Sequence, residues 1–561
     1  MAVKRELLEK IWIADSETDP FKAGRVPKPF LWGFYHPLSG EYYEFDDTEE
    51  FIDFVSGQEI IVYAHNGGKF DWHFIIEKIS HYEPLTIING RLAKFKIGLA
   101  EFRDSYNIIP APLSAYQKTK IDYAIFEEGE REKPENMALI SDYLKDDCVY
   151  LGQMVIDFIE TYGMNITQAS AAMKFWAKLS DIKRPKSSKY YYEEMSKYYY
   201  GGRVECFYTG EVEEEFEVID IRSAYPWAMK KKHPWGLEYN TDDTLEGLSD
   251  DEISRSFITL TAQSLGAFPL RTKNGLRFPC DGEMREFHIT GWEYLSALET
   301  GTLQNAIVSE VRTYADTISF EEYVDYFFAL KDEADLALKK IDQNHPEYGK
   351  WSAQRLFAKL FLNSLYGKFA SNPENYQEFM TLPSDMLDGA KEIDGWFYCK
   401  MISADTAVVN RPLEEEKHRY FDVAVAASVT GCVRAYLWEN IQKCHGVLYC
   451  DTDSIAAHDV SGAALGPKLG EWENEGQFSY GAIAGKKLYA FQRKPDTFNP
   501  DKDKEWKTAS KGVRLQPEQI IAIAQGEAVI DTPESPTFSI KRPIIFTPRT
   551  IKKLDVEKLD I

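Results

Sequence analysis

Apolar and polar positions alternate along this chain in blocks whose period changes several times. Near the N-terminus, the apolar runs Ile11–Ala14 and Ile60–Ala64 have the length of strands. Between and after them, Asp71–Lys78 and Ile140–Tyr162 carry the 3.6-residue periodicity of amphipathic helices. Strand and helix alternating in this way predict an α/β unit. Pro185, inside a basic run, reads as a linker. A second unit opens with the apolar strand Phe216–Ile221. The stretch 232–334 is acidic and mixed, with a helix predicted from Phe320 to Ile341. A strong helix is predicted over Trp351–Phe369, followed by a Pro/Asp/Gly-rich connector. A strand pair around Val447–Ala457 begins another α/β stretch, and the C-terminal stretch predicts short strands broken by Pro533, Pro536, Pro543 and Pro548.

Length and charge change this picture in two ways. At 561 residues the chain exceeds what one hydrophobic core can organise, so several lobes are expected. Lys+Arg 65 against Asp+Glu 90 leaves a net charge of −25, which excludes binding to nucleic acid through bulk charge. Any phosphate-binding path must be a local basic track. Candidates are Lys183, Arg184, Lys186 and Lys189; Lys230 to Lys232; and Lys541, Arg542, Arg549, Lys552 and Lys553. Each alone is an ordinary solvated patch. The aromatic share of 14% suits tyrosine-rich cores and lobe interfaces, or stacking platforms for bases. Seven scattered cysteines without a CxxC pair predict neither a disulfide framework nor a zinc site. No apolar leader and no uncharged run of about 18 residues is present, so a soluble protein that is not exported is expected.

Two sets of carboxylates carry the candidate chemistry. In the first, Asp15 and Glu17 stand two apart at the end of a strand, which puts both on one face. His65-Asn66-Gly67-Gly68-Lys69-Phe70-Asp71 follows an apolar strand, and its two glycines permit close backbone approach. Tyr143 and Asp147 lie four apart on a helix and share a face. Taken singly, each is an ordinary surface charge or helix cap. Together, four carboxylates ending different elements of one unit match the oxygen ligation that two divalent metals need to activate water.

In the second set, Asp220 ends the strand Phe216–Ile221, and Asp451-Thr-Asp453 sits in a tight hairpin between apolar strands. One aspartate in a turn is commonplace, whereas two with same-face spacing favour a bound divalent cation. Between these elements, Arg355, Lys359, Asn363 and Tyr366 share one face of the predicted helix, and Phe357, Phe361 and Leu365 the other. The polar face offers cations for a triphosphate, a ring for a base or sugar, and Gly367 for close approach.

These elements, in this order, resemble the B-family DNA polymerases. Asp15–Glu17, Asn66–Asp71 and Tyr143–Asp147 are similar to the three exonuclease motifs of that family. Asp220-x-x-Ser-x-Tyr-Pro, Lys359-x-x-x-Asn-Ser-x-Tyr-Gly and Tyr449-x-Asp-Thr-Asp-Ser resemble polymerase motifs A, B and C. Tyr199-x-Gly201-Gly202, Lys487-x-Tyr489 and the pair Thr430/Arg434 resemble motifs of the protein-primed branch, as do the long intervals on either side of motif B. The likeness is to replicases of small bacteriophages with linear genomes.

The resemblance implies an RNase H-like exonuclease domain plus a right-hand polymerase with palm, fingers and thumb and two terminal-protein-region insertions, α/β and α+β in class. It implies an exonuclease over 1–165, linker and palm over 166–231, a first insertion over 232–334, fingers over 335–370, a second insertion over 371–421, palm over 422–515 and thumb over 516–561. Asp220, Asp453 and an assisting Asp451 would bind the polymerase metals, and Asp15, Glu17, Asp71 and Asp147 those of the exonuclease, as Mg2+ or Mn2+, two per site. Tyr143 would orient water, and Lys118 fits the catalytic-lysine motif. Tyr225, Lys359, Asn363, Tyr366 and Gly367 would line the nucleotide pocket, with Tyr225 excluding a ribose 2′-hydroxyl and Lys350 or Arg355 adding a second cation. Thr18, Asn66, Phe70, Ser105, Tyr199, Gly201, Gly202, Arg434, Lys487 and Tyr489 would contact DNA. Ser105-Tyr106 departs from the family's Ser-Leu, and Ser-Ala-Tyr in motif A from its Ser-Leu-Tyr.

Implied partners are template-primer DNA, deoxynucleotides, a terminal priming protein and a single-stranded DNA-binding protein. The implied form is a monomer, away from membranes, in the cytoplasm of an infected bacterium. Two other readings use the same residues: a small B-family polymerase extending only nucleic-acid primers, and a non-catalytic DNA-binding relic.

Overall fold

A computed structural model of the chain describes residues 5–115, 119–182, 187–273, 275–342, 345, 347–387, 391–414, 421–497, 504–531, 533, 538–539 and 548–554. Lys118, the linker around Pro185, and Lys541 and Arg542 lie outside the described residues.

The first unit is built on the strand Ile11–Thr18. It runs parallel to Ile61–Ala64, which is parallel to Ala100–Asp104, and antiparallel to Pro29–Tyr35. The helix Pro134–Tyr162 packs over Ile11–Thr18 and Pro29–Tyr35. It begins six residues before the expected start, at a proline whose missing N–H costs nothing in the first turn. The helix predicted over Asp71–Lys78 is two 3₁₀ turns, Asp71–Phe74 and Ile76–Lys78. Eight residues containing the β-branched pair Ile75–Ile76 are too few to hold an α-helix unaided. Burial of Trp72 and Ile75 dictates the path instead.

The sheet does not stop at this unit. Beyond Ala100–Asp104 it continues through Arg91–Ile97 and Pro84–Ile88 to Gln377–Pro383, pairing Leu85 with Phe379 and Pro84 with Met380. Thr406–Pro412, Trp396–Met401 and Glu392–Ile393 complete eleven strands. The irregular connector expected after Phe369 is therefore largely strand. It satisfies the free backbone groups of an edge that would otherwise be exposed.

A second sheet orders Val204–Cys206, His445–Asp451, Ser454–Asp459, Phe216–Ile221, Trp472–Gly485, Leu488–Arg493 and Trp506–Ser510, with Gly210–Val212 also on Trp472–Gly485. The strand Phe216–Ile221 appears as predicted. Residues of 232–334 form a four-stranded sheet, Asn240–Asp242, Leu303–Thr313, Ser256–Ser264 and Met284–Thr290, followed in sequence by the helix Gly291–Glu299 after its fourth strand. The helices Glu321–Leu338 and Tyr348–Phe369 pack together and onto the first unit, where Tyr162 stacks on Phe361 at 4.2 Å. The helix Val423–Ile441 is buried around almost its whole circumference. Helix Pro517–Ala524 packs on the second sheet, and Val529–Asp531 pairs with Arg549–Ile551. Among the described residues no helix is long and apolar enough to cross a membrane.

Candidate active sites

Strand geometry brings the first carboxylate set together. Asp15 and Glu17 point from one face of Ile11–Thr18, and Asp15 stands opposite Gly33. A Cβ on Gly33 would come within 2.9 Å of Leu144, so the missing side chain lets the helix bearing Asp147 close over the strand. Glu17, Asp71 and Asp147 are all buried, and the Ser16 hydroxyl donates to Asp71 at 2.5 Å. Cys148 sits among them. Burial pushes its thiol well up, and the negative charges of Asp15, Asp147, Glu17 and Asp71 push the same way. The charges of all four predicted carboxylates therefore act on one buried side chain. Burial also raises Asp71 to about 6, against the opposing pull of the Ser16 hydrogen bond. Tyr143, raised by burial and by the neighbouring Tyr123 and Asp147, sets its hydroxyl 3.2 Å from that of Tyr123.

The Gly-Gly turn is shaped by contact. Asn66 adopts φ 66°, and a Cβ on Gly68 would lie 2.2 Å from the Leu92 carbonyl oxygen. Arg91 donates to Asn66 Oδ1 at 2.6 Å and to Asp104 Oδ2 at 2.8 Å, and lies 4.6 Å over the Tyr106 ring. Ser105 is fully buried, its hydroxyl donating to the Ala64 carbonyl beside the His65 ring. Phe70 is flanked by Phe21, Phe74 and Phe538, and Thr18 ends the strand with its hydroxyl on the Asp19 carbonyl.

The second set lies on the second sheet. Asp220 pairs in register with Ser454 on one side and Glu473 on the other. The hairpin of His445–Asp451 and Ser454–Asp459 turns through Thr452, at φ 63°, and Asp453. Ile221 N–H donates to the Asp453 carbonyl at 2.8 Å, which fixes Asp453 beside Asp220. Burial first, then Asp453 and Glu475, push Asp220 up to about 8. Burial, then Asp451, pushes Asp453 up to about 6. Lys487 answers part of this charge, with Nζ 2.5 Å from Asp451 Oδ1. Tyr489, two residues on, stacks on Phe491 at 4.3 Å and is pushed up to about 12 by burial and by Asp451. Glu475 was not singled out in the sequence. It stands two residues after Glu473 in Trp472-Glu-Asn-Glu, where the strand bulges between Asn474 and Gly476. Among the described residues no three His, Cys, Asp or Glu side chains are already drawn together closely enough to hold a metal ion.

Around this centre Tyr225 stacks on Tyr366 at 4.2 Å. On Tyr348–Phe369 the predicted faces hold: Lys359, Asn363 and Gly367 are exposed while Phe357, Phe361 and Leu365 are buried. Asn363 donates to the Lys359 carbonyl of its own helix at 3.1 Å. Arg355 is exposed, and Asp335 holds its Nε at 2.5 Å. Lys350 is exposed and lies 5.2 Å over the Trp351 ring.

Arg434, expected among the DNA contacts, lies inside the fold. It is 2% exposed, paired with Glu293 at 2.8 Å, and donates to the carbonyls of Tyr200 at 2.7 Å and Gly201 at 2.9 Å. Its neighbour in the motif, Thr430, is buried as well. Arg434 thus shapes the loop of Tyr199, Gly201 and Gly202. Tyr199 is half-buried and its carbonyl accepts from Arg271. Of the basic clusters, Lys230 is held by Asp325 and Glu321, and Lys232 by Asp251. Lys552 and Lys553 instead join Lys486 and Arg277 in one cleft beside Gly202.

The sequence profile of the family described as DNA polymerase type B, organellar and viral, matches residues 114–423. The DNA-directed DNA polymerase of Enterobacteria phage PRD1 is 35% identical over 98% of this chain and 99% of its own length. The DNA polymerase of Bacillus phage phi29 is 24% identical over 86% of this chain and 87% of its own. In structure, phi29 DNA polymerase complexed with primer-template DNA superposes with a TM-score of 0.72 at 18% identity, covering 97% of this chain and 100% of that one. That likeness is one of fold, a multidomain architecture of mixed α/β content.

Proposed function

Because the chain belongs to the type B DNA polymerases of organelles and viruses, we propose that it is a protein-primed, strand-displacing replicase with its own 3′→5′ proofreading exonuclease. What supports the two-activity part of this reading is that the two carboxylate sets fall in separate parts of the fold. Asp15 and Glu17 stand on the first sheet and act with Asp71 and Asp147 on Cys148, while Asp220 and the Asp451–Asp453 turn belong to the second.

Both donor sets are carboxylate oxygens, the chemistry that a hard divalent cation takes. Burial, and then neighbouring like charges, raise Asp220 and Asp453, and a bound cation would relieve that state. Asp220 and Asp453, assisted by Asp451, would hold Mg2+ or Mn2+ for synthesis, and Asp15, Glu17, Asp71 and Asp147 would hold it for trimming. Bound there, such ions supply activation of the attacking oxygen and neutralise charge on the leaving group.

The chain's own side chains do the rest. Lys359, exposed on its helix, would neutralise the triphosphate, with Lys350 as a second cation and Asn363 and Gly367 beside it. Tyr225 and Tyr366 would form a wall against the nucleotide sugar. Lys487 and Tyr489 would hold the primer end, which attacks the α-phosphorus as pyrophosphate departs. Tyr199, Gly201 and Gly202 would lie along the strand passing between the two centres. At the trimming site Tyr143 would orient the attacking water, while Thr18, Asn66 and Phe70 hold a frayed end. At initiation the hydroxyl of a terminal protein would replace the primer hydroxyl, in the cytoplasm of an infected bacterium. A single-stranded DNA-binding protein would cover the displaced strand.

Incubating the purified enzyme with terminal protein and labelled deoxynucleotide tests priming. Covalent label on the protein is expected. Normal primer extension without transfer to protein would reject protein priming and leave a polymerase of nucleic-acid primers.

A further inference from the structure

Arg203 follows Gly202 directly and is 1% exposed. Its guanidinium is hydrogen-bonded along its edges and packed against two aromatic rings. Nε and Nη2 meet Glu205 Oε2 at 2.7 and 2.5 Å, and Nη1 donates to the Gly266 carbonyl at 2.8 Å. Phe278 and Trp438 lie over it at 4.1 and 4.3 Å from their ring centroids. Gly266 and Phe278 belong to the stretch 232–334. Trp438 is tied to the same stretch, through its indole N–H on Thr302 at 3.0 Å.

The backbone of Arg203 has a different neighbour. Its carbonyl accepts the Thr452 N–H at 2.6 Å. Thr452 is the left-handed residue between Asp451 and Asp453, and the preceding Gly202 lies so close that a Cβ there would come within 2.7 Å of Thr452 Cγ2. The turn is thus held from two sides, by Ile221 N–H on the Asp453 carbonyl and by Thr452 N–H on Arg203. One clamp comes from the strand of Asp220. The other ends in a side chain anchored in 232–334.

We infer that Arg203 is a positioning residue for nucleotide transfer: it sets the Asp451–Thr452–Asp453 turn against Asp220 and couples that turn to the region 232–334. Only a guanidinium can stack on aromatic rings while hydrogen-bonding along its edge; lysine keeps the charge and loses the plane. The inference rests on the polymerase reading of Asp220 and Asp453.

Its test compares Arg203→Lys, Phe278→Leu and the double variant, in the full chain, for nucleotide kcat and KM, 3′-end trimming and thermal unfolding. Misplacing reacting groups by a fraction of their spacing costs rate rather than ground-state binding. Arg203→Lys, assayed well below its lowered unfolding midpoint, is expected to lower kcat about tenfold or more with KM within about twofold and trimming unchanged. Phe278→Leu should lose part of this, and the double variant no more than Arg203→Lys alone. Wild-type kcat in Arg203→Lys overturns the inference, as does parallel loss of both activities at a temperature where the variant is folded. If Arg203→Lys does not fold, Phe278→Leu decides by the same selective loss of kcat or its absence. Asp453→Ala run alongside separates the two levels: extension retained there would sink the polymerase assignment itself, whereas a dead Asp453→Ala beside an unaffected Arg203→Lys would sink only the coupling.

Discussion

Tyr225 and Tyr366 stack with ring planes 11° from parallel and centroids 4.2 Å apart, each supplied by a different helix. The pair makes a flat, half-buried wall, and the charge of Asp453 acts on both phenols. Such a wall rejects an additional hydroxyl by shape. Replacing Tyr225 by Val should raise ribonucleotide incorporation relative to deoxynucleotide by about 10- to 200-fold, the range a small change in pocket volume commands. Single-nucleotide kcat/KM for the two sugars measures it, and an unchanged ratio would remove Tyr225 from the sugar pocket.

Asp15 and Glu17 stand on one sheet and Asp220 and Asp451 on another. Asp453→Ala should abolish primer extension, by about 10³-fold or more, while leaving 3′-end trimming. Asp15→Ala should do the reverse. Equal loss of both activities in either variant would mean that the sites are misassigned.

Asp220, raised to about 8, and Asp453, raised to about 6, bind protons more tightly in the folded chain than an ordinary aspartate does. Their contribution to stability is therefore fully present below the usual aspartate range and is lost as pH rises through about 4 to 8. In chelator, the unfolding midpoint should fall between about pH 5 and pH 8, and Asp220→Asn should flatten that fall. Added Mg2+ should restore more stability at the higher pH, where it meets ionised carboxylates. A midpoint indifferent to Mg2+ at both ends of this range would count against metal binding at the site.

The net charge of −25 sits around a cleft lined by Arg277, Lys486, Lys552 and Lys553. Salt screens the repulsion of the acidic surface for DNA, to a reach of about 8 Å at physiological ionic strength, while it also weakens phosphate contacts. Extension should consequently persist as salt is raised above physiological levels. A steep loss of DNA affinity and processivity over a modest increase would reject that balance.

Local spacing alone determined much of this protein. Period-two geometry placed Asp15 with Glu17 and Asp451 beside Asp453, and helical geometry placed Tyr143 with Asp147 and Lys359 with Asn363, because such faces depend only on bonds between near neighbours. Glu475 escapes that geometry, because the strand bulges between Asn474 and Gly476. Tertiary packing decided which polar residues keep a free face. Ser105 and Arg434 carry motif-like contexts yet are buried against backbone carbonyls, and Arg355 is held by Asp335. Packing likewise joined Gln377–Pro383 to Pro84–Ile88 and set Arg203 against Phe278 and Trp438. Partners so distant in sequence are chosen by burial and by the need to satisfy buried polar groups, which no local period encodes.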